Sequence, residues 1–484
     1  MGLIMMSARL FISRFKSIYR KYALRVLEMA VCVLCIITTG KLLDYILVAE
    51  DGFTKQLMTD FYNMEDNVDN IYLGSSHVHY NIKPEILDVI SGENNYNLAT
   101  GLQPMNTSYY LLKEAGKENK ISHVYLELSC GLTTGDYGKI KTYEQLPNSW
   151  RVLDYVKPSL NKLQWILDIS EPEYYYLSFF PARRYYKEFL DGAYISGQLQ
   201  NKAEDEENKW KGGYVYKGYR HTEAVIDGMY CEKSKRVCFE ENPITDEIIT
   251  YLIKIIDFCK KNEIELTLFT SPITDCELHN FENYDIWGNQ IRNLATENGI
   301  NYYDFNLCKT EYLDLSDEHY WRDNNHLNTW GAEVYTQFLG KVFDEEKKGG
   351  ERDIKQYFYN DYYQKVQNME KTLFGLTIDE MQGEKKVEYL ANSGISKESE
   401  SLYKVFCISA VDNYGDNDKV EYCFSLVDEE SGCEQIIQNW DENTVCIVEL
   451  DDANKVLSVA GRRRGIVDRG DGRDFKVCKI MLGD

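Results

Sequence analysis

Asn70-Ile71-Tyr72-Leu73-Gly74-Ser75-Ser76-His77 is an apolar, β-rich run that stops at three small residues. It reads as a buried strand feeding a tight turn. Working outward, Pro84 to Ile90 predicts a short helix, Tyr96 to Ala99 a second strand, Asn106 to Ala115 a helix and His123 to Leu128 a third strand. The same alternation returns later. A helix is expected from about Thr245 to Lys261, a fourth strand over Ile264 to Phe269 and a helix near Tyr284 to Glu297. Ile300 to Phe305 follows as a fifth strand, then the loop Asp323-Asn324-Asn325-His326-Leu327-Asn328, then a helix from Trp330 to Phe343. Strands alternating with helices imply a three-layer α/β/α unit around a parallel five-stranded sheet, with reactive groups outside the carboxyl ends of the strands.

Two stretches break the pattern. Residues 131–240 are rich in aromatics (Tyr174-Tyr175-Tyr176, Phe179-Phe180) and carry a charged patch from Lys202 to Lys211; they read as an insertion over one end of the sheet. After Glu345 the composition turns to a charged linker, and a tyrosine-rich helix is expected from Ile354 to Phe374. From about Leu402, short β runs separated by Gly, Asn and Asp predict a small all-β domain. Arg462-Arg463-Arg464 reads as a solvated loop. The expected divisions are 68–345 for the α/β unit, 346–384 for linker and helix, and 385–484 for the all-β domain.

The amino terminus is different in kind. Arg9, Arg14, Lys16, Arg20, Lys21 and Arg25 precede the first acidic residue, Glu28. Met29 to Gly40 is uncharged, and 22–48 holds only Arg25, Glu28, Lys41 and Asp44. A spanning helix needs about 20 mostly apolar residues. Three readings compete: a signal anchor, a cleaved signal peptide and a buried amphipathic helix. The anchor is favoured, because end charges can snorkel and no small-x-small cleavage site follows. Residues 1–21 then form a basic arm inside, and the rest of the chain after about residue 50 lies outside. A short acidic linker is expected between the span and the first strand. The net charge of −24 would repel a phosphate backbone, so nucleic acid is not an expected partner. The 13 cysteines contain no CxxC pair outside the apolar segment, which argues against a zinc site. Cys231 and Cys238 could close a small loop, although buried thiols are the plainer reading.

Nucleophilic acyl transfer needs a hydroxyl, a base, an acid that orients the base, and donors for the oxyanion. A serine on the turn after the first strand and a histidine in the loop after the last strand can meet at the carboxyl edge of the sheet. Asp323, three residues before His326, can reach that imidazole. Leu73-Gly74-Ser75-Ser76-His77 resembles the first block of the SGNH (GDSL-like) hydrolases, with Ser75 where Asp is usual. Asp323-Asn324-Asn325-His326-Leu327-Asn328 with Gly331-Ala332 resembles their last block. The likeness spans about 68–345. It is nearest to membrane-anchored members such as the alginate O-acetylation proteins and the D-alanyl transfer protein of teichoic acid.

The resemblance implies a flavodoxin-like fold with Ser76 as nucleophile, His326 as base and Asp323 as its orienter. It implies the backbone N–H groups of Ser76 and Gly101 as oxyanion donors, and no cofactor or metal. The family's third block usually supplies an Asn, whereas this strand ends Glu127-Leu128-Ser129; Asn97 or Ser129 are the candidate substitutes. His77 and His79 read as substrate contacts or surface residues, His319 as a loop residue. Two functions are expected to compete. One is acyl transfer or de-esterification on a cell-surface polysaccharide or envelope polymer, with an acyl donor and a membrane acyltransferase as partners. The other is a catalytically weak assembly or carrier-binding role in the cell envelope.

Overall fold

The computed structural model describes residues 2–207, 213–226, 237–279, 281–315, 317–349, 354–368, 374–412, 420–428, 433–449, 455–463 and 475–482. Helix α1 (Gly2–Leu47) includes Lys21–Leu47, a stretch long and apolar enough to cross a membrane. Residues 49–67, expected as a linker, are instead largely a packed helix, α2 (Gly52–Tyr62). Asp51 caps it, accepting the Thr54 N–H at 2.9 Å. Phe53, Leu57, Met58 and Phe61 recur at helical spacing and are buried in the core.

The α/β unit follows with strands β1 (Asn70–Leu73), β2 (Asn95–Asn97) and β3 (His123–Glu127), and helices α3 (Ser76–Asn81), α4 (Pro84–Ser91) and α5 (Met105–Glu118). Within the interruption, the helices α6 (Leu146–Leu153), α7 (Leu160–Asp168) and α8 (Gly192–Glu207) are the main elements. Then come α9 (Asp246–Lys261), β4 (Glu265–Thr270), α10 (Tyr284–Asn298), β5 (Asn301–Asp304), a hairpin of β6 (Trp321–Asp323) and β7 (His326–Leu327), and α11 (Thr329–Lys347). The sheet order is β2-β1-β3-β4-β5, and every neighbouring pair is parallel. Both faces are covered, which is why β1 and β3 are buried along their whole length. One core cluster joins α5, α9 and α10; the other joins α3, α4 and α11. This is the expected three-layer α/β/α fold. In the order 2-1-3-4-5 the chain reverses direction between β1 and β3, and that switch point is where such sheets open a crevice.

The 131–240 stretch does not simply roof the sheet. Helices α6 and α7 bury Trp150, Leu153, Trp165 and Ile166 beside α5. Further along, α8 and the 3-10 segment Pro181–Glu188 pack against α1. Its returning limb walls the carboxyl end: Thr329 N–H donates to the Thr222 carbonyl at 2.8 Å, and Ile226 N–H to that of Trp321 at 2.9 Å.

Residues 346–384 are not a free linker either. Ile354 and Tyr357 are buried in the α/β core, and Lys365 reaches Asp275 and the Asn306 carbonyl. The expected long helix is a 3-10 turn, Lys355–Tyr357, and a short helix, Tyr362–Asn368. The antiparallel region begins earlier than expected, with β8 (Phe374–Glu380). It continues through a helix, Gly383–Asn392, to β9 (Tyr403–Asp412), β10 (Val420–Asp428), β11 (Glu434–Asp441), β12 (Val445–Glu449), β13 (Lys455–Arg463) and β14 (Phe475–Met481). Sheets β8-β9-β12 and β11-β10-β13-β14 share one apolar core that includes Phe406, Phe424 and Leu457. Arg462 and Arg463 extend β13 rather than a loop, and Arg464 and Cys231 lie outside the described residues.

Candidate active site

Gly74 turns the chain out of β1 at φ 152°, where a Cβ would lie 2.6 Å from Glu127 Cβ and 2.7 Å from Val78 Cγ2. Only glycine allows that approach. The two serines that follow have different surroundings. Ser75 is buried and caps α3, its Oγ accepting the His77 N–H at 3.3 Å. Ser76 is the first residue of α3 and is half-buried, with its Oγ 2.8 Å from His326 Nε2. His326 Nδ1 is 2.8 Å from Asp323 Oδ1, and that oxygen also accepts the N–H groups of Asn325 and His326, both at 2.9 Å. The structure thus brings Ser76, His326 and Asp323 into one hydrogen-bonded line.

Two elements distant in sequence hold this line. Asn81, at the end of α3, accepts the Leu327 N–H at 3.0 Å, and its carbonyl accepts the Thr336 hydroxyl at 3.1 Å. Asn328 caps α11 through the N–H groups of Trp330 and Gly331 while its Nδ2 donates to the carbonyls of His319, Ala224 and Trp321. Gly331 is required there, since a Cβ would come within 2.2 Å of the Tyr320 carbonyl oxygen.

Burial lowers the His326 imidazole below its ordinary pKa; its hydrogen bond to Asp323 opposes this, and His77 and Arg322 add to the depression. Its neutral form, the form that takes a proton, is therefore favoured. For Asp323, burial acts upward, but the His326 bond, its charge, the Asn325 N–H and Arg322 together bring the carboxyl below its ordinary value.

The other side of Ser76 departs from the expectation. Asn97 is fully buried, with Nδ2 donating to the Val78 carbonyl at 2.9 Å and Oδ1 accepting the Ala99 N–H at 3.0 Å. It shapes the loop and is withdrawn from an oxyanion role. Ser129 receives Leu132 and Thr133 at its carbonyl, and the structure does not bring it to the triad. Gly101 lies on the loop after β2, its carbonyl accepting Arg151 Nη1 at 2.6 Å. His77 does reach the site, its ring centroid 5.3 Å from that of His326, and its Nδ1 is 3.3 Å from Glu127 Oε1. His79 is neither surface nor ligand: it is buried against Phe53 (4.9 Å between centroids) and Tyr80 (4.7 Å). Burial, then Arg220, pushes its pKa well down. His319 packs at a tilt against Trp330, 4.4 Å between ring centroids.

Sequence reasoning did not find several participants. Glu127 is buried beneath the turn, where Oε2 accepts the Ser75 N–H at 3.0 Å. Tyr80 packs 5.1 Å from His326 and lies under the guanidinium groups of Arg322 (4.6 Å) and Arg220 (5.3 Å). A signal existed for Tyr80, which falls one helical turn beyond Ser76; none existed for Arg151 or Arg220, which come from the interruption. Among the described residues, no three His, Cys, Asp or Glu side chains converge as a metal site.

No family model matches the chain, and no curated protein matches it. Among solved structures, a Bacteroides fragilis protein named "putative acylhydrolase" is similar at 9% identity and a TM-score of 0.28, covering 59% of this chain and 93% of that one.

Proposed function

We propose that the chain is a membrane-anchored serine esterase or O-acyltransferase of the SGNH type. It acts outside the cytoplasm on an ester of a cell-surface polysaccharide or envelope polymer. The observation that carries this reading is the pair of 2.8 Å hydrogen bonds linking Ser76, His326 and Asp323 at the carboxyl end of β1.

Ser76 Oγ attacks the ester carbonyl carbon as its proton passes to His326 Nε2, and the carbonyl electron pair moves onto oxygen. The N–H groups of Ser76 and Gly101 receive that oxyanion. Asp323 holds the imidazole by Nδ1 and stabilises its cation. Collapse breaks the bond to the leaving alcohol, which takes the proton from His326 and leaves acyl-Ser76. Water, or a hydroxyl of the polymer, then gives its proton to the same nitrogen and releases the acyl group. With a polymer hydroxyl as acceptor, a membrane acyltransferase supplies the acyl donor. Residues 1–21, the basic amino-terminal part of the chain that the structure joins to the span in one helix, stay inside, and the antiparallel region from residue 374 onward is an accessory domain.

A second reading has its own support. The strand that ends in the family's Asn block ends here with Glu127, whose buried carboxylate lies beneath the turn on the Ser75 N–H at 3.0 Å; a negative charge so near the turn disfavours an oxyanion there and suits a weak or non-catalytic envelope protein. A fluorophosphonate probe on the full chain separates the two. A covalent adduct on Ser76, found by peptide mass spectrometry, is expected; an adduct on Ser75, or on neither serine, overturns the leading reading.

A further inference from the structure

Between Phe179 and Tyr194 the chain forms an arch with both feet on the last turn of α1. At one foot, the Ala182 N–H donates to Asp44 Oδ1 at 2.8 Å. At the other, the Tyr194 hydroxyl donates to the Leu47 carbonyl at 2.8 Å. Beyond it, the buried ammonium of Lys202 lies on the Tyr45 carbonyl, completing the end of the helix with a cation. The arch is also braced from behind, where Arg184 grips Asp154 with both guanidinium nitrogens at 2.7 and 2.8 Å.

What the arch shows to the outside is largely apolar, with Arg183 and Lys187 among the exposed residues. Phe179, Phe180, Tyr186 and Phe189 are all exposed, and Leu190 is 91% exposed. A crown of this kind has no role in the triad and lies within a few residues of where the apolar span Lys21–Leu47 ends. Aromatic side chains on a rigid loop at that level match the interfacial zone of a bilayer, where amphipathic rings collect. Arg183 and Lys187 are balanced by Glu188 and Asp191, so charge attraction is not the basis of docking.

We infer that the 179–190 arch is a second membrane contact, seated in the headgroup region beside the end of α1, with a lipid surface as its partner. This rests on reading α1 as a membrane anchor. Docking at two points fixes the tilt of the α/β unit as well as its attachment, because one helix alone leaves the unit free to rock.

The test uses the full chain in vesicles of phosphatidylethanolamine and phosphatidylglycerol. A fluorescent amino acid is introduced singly in place of Leu190, Ile36 or Val89, the last an exposed residue of α4. Lipids carrying a nitroxide at the headgroup or deep in the acyl chain act as quenchers. The headgroup quencher is expected to reduce Leu190 emission severalfold more than Val89 emission, with no loss when salt is raised. The deep quencher is expected to act on Ile36. If Leu190 behaves like Val89 while Ile36 is quenched, the anchor stands and the arch proposal is overturned, including the case where another protein covers the arch. If neither Ile36 nor Leu190 is quenched, the anchor reading and the proposal fall together.

Discussion

On one side of the Ser76 hydroxyl, α3 and the β6–β7 hairpin are tied to each other by Asn81, and the histidine they position is held by an aspartate three residues away. On the other side, the Gly101 loop is steadied by Arg151, which reaches in from the 131–240 stretch and also approaches Asp51 at 3.4 Å. The first side is assembled from elements that belong to the α/β alternation itself. The second depends on an element outside that alternation and on the residues that join it to α1. The contrast teaches that, on the proposed mechanism, proton transfer and oxyanion support would have separate structural owners, so each could be broken alone.

The largest effect is expected from the first side. Ser76→Ala or His326→Ala should lower kcat by about 10⁴- to 10⁶-fold and abolish fluorophosphonate labelling, because the triad acts as a unit. Asp323→Asn should cost about 10⁴-fold in kcat while leaving the fold intact. The pH profile sharpens the point. Burial depresses the His326 pKa, so the acid limb of kcat/KM should lie below the usual imidazole range. Asp323 opposes that depression, so the limb in Asp323→Asn should move lower still.

The second side should give a smaller and different loss. Arg151→Ala frees the Gly101 carbonyl and is expected to reduce kcat by about 10- to 100-fold, with Ser76 still labelled, more slowly. A profile identical to that of His326→Ala would show that the two sides are not separable. Ser75→Ala tests the division at the closest range. It should keep Ser76 reactive and cost only about 1 kcal/mol of stability through the lost helix cap, read by thermal unfolding.

The smallest expected effect concerns the layer behind the Gly101 loop. His79 has an unfolded-state pKa near 6.5 and a folded-state value pushed well below it. The unfolded chain then binds a proton that the folded chain refuses. Stability from this residue is complete above about pH 6.5 and is lost as the pH falls below it. His79→Phe should shrink the drop in Tm between neutral and mildly acid pH, and an unchanged drop would mean that other groups set it.

Much of the first side was legible in the chain. A buried strand, a glycine turn and an Asp-x-x-His loop are local patterns, and local patterns survive in sequence. The second side was not legible for physical reasons. Nothing near Gly101 announces Arg151, because their contact is made by packing across some fifty positions. Asn97 looked available because its type is right, while its burial between Val78 and Ala99 is a property of the fold alone. Helix α2 was legible in principle, since Phe53, Leu57, Met58 and Phe61 keep helical spacing, but the acidic residues around it give the stretch the composition of a linker. The packing of Ile354 and Tyr357 likewise required a partner surface, so a boundary set by the charged Gly-Gly run at 349–350 fell too early.

Phe53 links the apolar span to the reaction site. It stands six positions after Leu47, the final residue of the apolar span, and its ring already rests on His79 behind the Gly101 loop. Six residues reach at most about 20 Å, and α2 takes most of that slack away by packing at once. If the chain is the membrane-anchored esterase or acyltransferase proposed above, a reaction centre coupled so tightly to its anchor works as a depth gauge. It would then address only those ester groups that come within one narrow shell of the bilayer and pass over chemically identical groups farther out. Selectivity would arise from altitude, before any side chain inspects the polymer.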